Sequence, residues 1–246
     1  GGWAINGHKS FVTAAPALRF LFTAVQLPPS PAAPQGEVAR AIVEAPVKGL
    51  RFVATWQDAL SQRSGGSDDV YFDNVFVPDE RIVERTPIGC VGTAPPVNGW
   101  WLTLVAVYLG IAQAALDAAT DYANERVPSG LGHAIGGLPH VQQWIGQMQS
   151  DVIASREVAR RWAQRPQDRA ALGPQVAAAK HFVTNTACTV TDLGLRVAGG
   201  FSLTRQLTLE RHFRDARGGL FQPPQDDLAL GLLGRTALAA RRTSKA

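Results

Sequence analysis

Sulfur, charge and long apolar runs are all scarce in this chain. It has two cysteines and one methionine in 246 residues, and only 18% of its residues are charged. Two thiols, Cys90 and Cys188, cannot build a disulfide framework or the clustered thiolate sets of zinc and iron–sulfur centres. Low charge coupled to 46% hydrophobic content excludes intrinsic disorder, whose signature is the reverse. No apolar run reaches the roughly 18 residues of a membrane span. The longest, Trp100 to Ala119, is interrupted by Thr103, Gly110, Gln113 and Asp117. Nor does a basic segment lead into an apolar stretch at the start, as a signal peptide requires. A cytoplasmic protein with neither membrane nor metal is the expectation, since His133, His140, His181 and His212 show no metal-ligand spacing. The chain also lacks an initiating methionine, opening Gly1-Gly2-Trp3, which suggests a piece of a longer protein.

The net charge of +4 is unevenly distributed. Residues 1–150 are net acidic and residues 151–246 net basic, a pattern that suits an anionic partner. The basic residues sit at helical spacings (Arg156, Arg160, Arg161, Arg165) rather than in runs, and Glu157 can pair with Arg161 on an exposed face. With only Trp162 as an interleaved aromatic, nucleic acid is not expected.

The first third reads as β structure, with short runs at 11–13, 20–25 and 40–43. Residues 70–77 read as one long strand or a pair, stopped at Pro78. Asn6-Gly7 is a hairpin-turn signal. From Asn98 the period changes, and Leu104, Tyr108, Ile111, Ala115, Ala119 and Tyr122 mark a helix ending near Arg126. Further helices are expected from about 141 to 165, stopped by Pro166, from 171 to 198, ended by Gly199-Gly200, and from Pro223-Pro224 to about Arg242. The fold class is therefore α+β, a partial β-barrel or sheet domain (1–84) followed by an antiparallel four-helix bundle (97–246).

Three stretches carry more than fold information. They are Gly2-Trp3-Ala4-Ile5-Asn6-Gly7-His8-Lys9-Ser10-Phe11-Val12-Thr13, then Arg63 to Pro78 with its Phe72-Asp73-Asn74-Val75-Phe76-Val77-Pro78 strand, and lastly Gly199-Gly200-Phe201 followed by Leu209-Glu210-Arg211-His212-Phe213-Arg214-Asp215-Ala216-Arg217. In this order they resemble the acyl-CoA dehydrogenase superfamily of flavoproteins, in its C-terminal part. The helical domain and flavin-loop segment that precede the Asn-Gly strand in that family are not in this sequence.

The resemblance implies FAD as cofactor, an acyl-CoA or other small-molecule substrate, and a homo-oligomer, dimer or tetramer. Phe11 and Thr13 match residues that pack on the flavin ring and hydrogen-bond near its N5; on a regular strand both would share one face, as they would in any half-buried strand. Arg63 and Ser67 match the Arg and Thr before the Phe-Asp-Asp-Val strand, or belong to an ordinary polar loop. Arg126 matches an arginine that contacts the flavin pyrophosphate of a neighbouring subunit, and its alternative is a charge complementing a helix C-terminus. Gly199 and Gly200 match a pair that approaches the diphosphate, and their alternative is a helix C-cap. Arg196 stands where the family usually has Gln.

The informative departure concerns the catalytic base, a carboxylate that takes the α-proton of the thioester. Gln222 occupies the usual Glu position, and an amide cannot serve. A minority of the family carries Glu near the start of the first bundle helix, but Asn98 to Thr103 contains no carboxylate. Asp226 and Asp227 are the nearest acids, in a place where acids also complement a helix N-terminus. Three functions follow. The first is a FAD-dependent acyl-CoA dehydrogenase-like oxidoreductase catalysing α,β-desaturation. The second is a two-component monooxygenase on the same fold using reduced FMN, like dibenzothiophene monooxygenase. The third is a non-catalytic assembly subunit.

Overall fold

Alternating burial along the strands and apolar stripes along the helices divide the chain into two compact units, Gly1–Pro95 and Pro96–Ala246. The structure is a computed structural model and describes residues 1–90, 98–164 and 173–243.

The first unit holds two three-stranded antiparallel sheets. One is ordered β1 (Gly2–Val12), β5 (Asp68–Pro78) and β4 (Leu50–Val53). The other is ordered β2 (Phe20–Leu27), β3 (Glu37–Glu44) and β6 (Ile82–Pro87). On β2, Leu21, Thr23 and Leu27 point inward while Phe20 and Phe22 stay exposed, the period of two that a half-buried strand demands. Leu21 and Leu27 join Val43, Val70, Val75 and Val77 in one core. Each such side chain contributes about 1.5–3 kcal/mol when fully buried.

Residues 70–77 form part of a single long strand, with one irregularity. Burial on β5 falls on Asp68, Val70 and Phe72, then slips to Val75 and Val77. The slip occurs at Asn74, whose φ is 51°, opposite a register shift between Ile5 and Gly7 on β1. Asn6 Oδ1 accepts the Asn74 backbone N–H at 2.9 Å, a group the disturbed ladder leaves over. Asn6-Gly7 therefore lies within a strand, opposite a bulge at Asp73-Asn74 of β5, and is not the hairpin turn its composition suggests.

The second unit is helical, with α1 (Asn98–Glu125), α2 (Pro139–Ala163), α3 (Gly173–Ala198), α4 (Leu209–Phe221) and α5 (Asp226–Thr243). Among the described residues it has five helices rather than four, because the Leu209 to Phe221 motif is itself helical. Arg165, Pro166 and residues 171–172, expected at helix ends, lie outside the described residues. Helix α3 packs against all four others. Its buried Thr184 and Thr191 hydroxyls donate to carbonyls one turn back, Lys180 O at 2.9 Å and Ala187 O at 2.8 Å, so they sit in the core without an unmet hydrogen bond.

Helix α1 corrects the hydropathy reading: averaged over a window, Trp100–Glu125 is long and apolar enough to cross a membrane. Its apolarity has a source within the bundle. Leu104, Val105, Tyr108, Ala112, Ala115 and Ala119 fill the core along one stripe.

Candidate functional site

In the β unit, β1 ends in a second irregularity. The register slips between Lys9 and Val12, and Phe11 (φ 61°) and Ala14 (φ 58°) are left-handed. The regular strand that would place Phe11 and Thr13 on one face is thus absent. The bulge instead turns Phe11 outward, 72% exposed, with its ring edge-on to Trp56 at 5.7 Å between centroids. Thr13 and Ser67 share a hydrogen bond between their hydroxyls at 2.9 Å, and Ala14 N–H donates to Gly65 O at 2.9 Å. Residues from two separate motifs are therefore brought to one edge. Arg63 turns back to its own loop, donating from Nε to Ala59 O at 2.6 Å.

Trp56 carried no signal in the sequence, and a buried carboxylate explains its placement. Asp68, 6% exposed, accepts the backbone N–H groups of Thr55 and Trp56 at 3.0 Å each. The indole N–H then donates to Gln62 O at 3.0 Å. The result is an exposed aromatic edge bordered by two hydroxyls, a surface suited to a flat, partly polar ring.

In the helical unit, a second patch forms where α1 and α3 end. The Arg126 guanidinium lies 5.1 Å from the Phe201 ring centroid, and Tyr122 is 6.4 Å from the same ring. No carboxylate among the described residues lies within ion-pair range of Arg126. Gly199 takes φ 58° where α3 gives way to a 3-10 turn, and no described atom lies within 4 Å of a Cβ built at Gly199 or Gly200. The patch thus offers one exposed, unpaired cation beside open backbone, which suits paired phosphate oxygens. Arg196 is committed elsewhere, with its Nε 2.9 Å from Asp192 Oδ2 on the same helix.

The α4–α5 turn carries the candidate acids. Gln222 is half-buried, and its backbone N–H donates to Gly218 O at 3.2 Å as α4 ends. Asp226 is held by three residues of α3. Asn185 Nδ2 donates to Oδ2 at 2.9 Å, His181 Nδ1 lies 3.1 Å from Oδ1, and Lys180 Nζ lies 3.9 Å from Oδ1. Partial burial opposes ionisation of Asp226, but the Asn185 hydrogen bond, with His181 and Lys180 beside the carboxyl, outweighs it and holds the carboxyl below its ordinary value. A carboxylate so held is a weak proton acceptor. Asp227 is exposed at the first turn of α5.

Lys180 itself is fully buried, and its ammonium lacks a hydrogen-bond partner among the described residues. Burial pushes its pKa down, with Asp226 partly offsetting the shift. A signal for it exists in the sequence, because Lys180 interrupts the buried α3 stripe of Val176, Val183, Thr184 and Ala187. Among the described residues, no group of three or more His, Cys, Asp or Glu could hold a metal ion.

An α+β chain with these motifs in this order defines a class, and comparison with known proteins agrees. Residues 102–221 match the family model for the acyl-CoA dehydrogenase C-terminal domain. The "Putative acyl-CoA dehydrogenase YdbM" of Bacillus subtilis (strain 168) is 35% identical over 240 residues, covering 96% of this chain and 61% of that protein. Butyryl-CoA dehydrogenase from Megasphaera elsdenii superposes with a TM-score of 0.83 at 22% identity, over 96% of this chain and 61% of that one. TdsC from Paenibacillus sp. A11-2, solved with FMN and indole, gives 0.84 at 24% identity, over 98% and 64%. The chain belongs to the acyl-CoA dehydrogenase superfamily. It spans about three-fifths of the length of these relatives.

Proposed function

We propose that the protein containing these units is a flavin-dependent oxidoreductase that uses FAD to desaturate an acyl-CoA thioester between its α and β carbons, working as a homo-oligomer. One observation carries this reading: the outward Phe11 ring and the Thr13–Ser67 hydroxyl pair meet at one edge of the β unit, joining two of the three family motifs. Those residues fit an isoalloxazine ring, and Arg126 with Gly199-Gly200 fits a diphosphate, since a guanidinium with no ion-pair partner among the described residues and glycines with open space above them leave room for phosphate oxygens. When bound, the flavin supplies a two-electron acceptor for the hydride leaving Cβ. The chain's own task would be to orient that ring, exclude water, and leave the α-proton to a base.

That base is not Gln222, and Asp226 is committed to α3. The same observation favours a second reading, a two-component monooxygenase using reduced FMN, which needs no α-proton base. The full-length protein, assayed with acyl-CoA thioesters and an artificial electron acceptor, should bleach its flavin and reduce the dye. Oxygen uptake with reduced FMN and no response to thioesters would move the conclusion to the monooxygenase. Failure to bind any flavin would remove both and leave an assembly role.

A further inference from the structure

Three residues of one helix converge on a single carboxylate in the first turn of another. Asn185, His181 and Lys180 of α3 all reach Asp226, which follows directly on the turn 222–225 joining α4 to α5. The Lys180 side chain has no exposed surface, and Asp226 Oδ1 is its only counter-charge within ion-pair range among the described residues. An ammonium in such a place is costly unless it is matched. Departure of Asp226 would therefore either strand a buried ammonium or force Lys180 to give up its proton, both at a cost, and the turn cannot leave without Asp226.

We propose that Lys180 is a positioning residue: through Asp226 it fastens the 222–225 turn to α3 and fixes where Gln222 is presented. The functional consequence rests on the reading above, in which Gln222 occupies the substrate-facing position of the family's Glu; the fastening itself does not. Neighbouring packing limits the alternatives for the turn. Gly219, in the last turn of α4, lies so close to Tyr108 and Thr184 that an added Cβ would come within 2.9 Å of each. The turn therefore starts from a fixed point, and Asp226 is its other tether.

The test uses the full-length protein with variants Lys180→Met, Asp226→Asn and the double variant. Backbone amide exchange is followed at Gln222 and Ala229, whose N–H groups donate to Gly218 O and Gln225 O on either side of the turn, and, as a control, along α1. Each single variant should speed exchange at these two amides by roughly tenfold or more, the scale of losing one partner of a buried ion pair. The rate along α1 should stay unchanged, and the double variant should add nothing further. Unchanged exchange at the turn, equal acceleration along α1, or additive effects would each overturn the fastening. If Lys180→Met does not fold, Asp226→Asn and Asp226→Glu decide alone, the first releasing the turn and the second restoring it. Where the wild type turns over a substrate, Lys180→Met should raise KM and lower kcat together. A wild type that turns over neither thioester nor reduced flavin with oxygen would sink the functional reading while leaving the exchange result to judge the clamp.

Discussion

At the scale of single residues, small side chains do much of the specifying. Gly219 sits on α4 facing Tyr108, which is fully buried, and Thr184 across the bundle. Alanine would gain about 1 kcal/mol of helix propensity there. It would also force its methyl against two fixed side chains, an overpacking that costs about 1–3 kcal/mol. With contacts of 2.9 Å to both side chains the steric cost falls in the upper part of that range, about 2–3 kcal/mol, so Gly219→Ala should lower stability by ~1–2 kcal/mol, read as a fall in the denaturant midpoint at constant slope. A neutral or stabilising result would mean that Tyr108 yields. The same scale decides the candidate base. The count from the Arg-Asp-Ala-Arg motif is what points to Gln222 as the position of the family's Glu. What the sequence could not show is that Asp226 is engaged, because its partners Lys180, His181 and Asn185 lie far away along the chain.

At the scale of elements, length and residue size govern what can be read. Helices α1, α2 and α3 run 28, 25 and 26 residues, long enough for a period of 3.6 to repeat many times. Helix α4 has 13 residues, and its buried face is Leu209, Ala216 and Gly219, two of them too small to mark an apolar stripe. Strand β4 has only four residues and β6 ends on Thr86-Pro87, so neither announces itself. The aromatic edge was half legible: Phe11, Thr13 and Ser67 stood in the motifs, but Trp56 reaches them only through Asp68. The end of α3 allows the helix-cap and ligand explanations of its glycines to be separated. Gly199 needs its left-handed φ, and a Cβ there costs about 1–2 kcal/mol. Gly200 has no such requirement and faces open space. Gly199→Ala should therefore destabilise the fold by that amount. Gly200→Ala should leave stability unchanged yet weaken FAD retention in the full-length protein, measured by equilibrium dialysis. Equal FAD affinity in Gly200→Ala and wild type would return both glycines to a purely structural role.

At the scale of the whole molecule, the perturbed groups of the helical unit make stability depend on pH in a predictable sense. His212 is lowered from its ordinary 6.5, by burial first and then by Arg211, against the pull of Asp215. The unfolded chain therefore takes up the His212 proton before the folded one, and stability falls as pH drops below 6.5 toward the folded value. Asp226 acts in the same sense further down: its contribution is present above 3.8 and disappears as pH falls through its lowered folded pKa. Lys180 is also lowered, so the unfolded chain holds more protons up to 10.5 and stability rises with pH toward that value. Cys188 runs the other way. Burial raises its thiol above 9.0 despite the charge and hydrogen bond of Arg217, so the folded chain keeps a proton the unfolded chain has lost. From 9.0 upward Cys188 lowers stability while Lys180 still raises it, and only variants can separate the two. Denaturant titrations from pH 5 to 10.5 should show wild-type stability rising through 6.5. In His212→Gln that rise should be shallower, with no change in the alkaline limb. In Cys188→Ala the alkaline limb should climb more steeply than in wild type, with the acid side only offset. A wild type more stable at pH 5 than at pH 7.5, or a Cys188→Ala limb parallel to wild type above 9.0, would show that groups outside this set govern the balance.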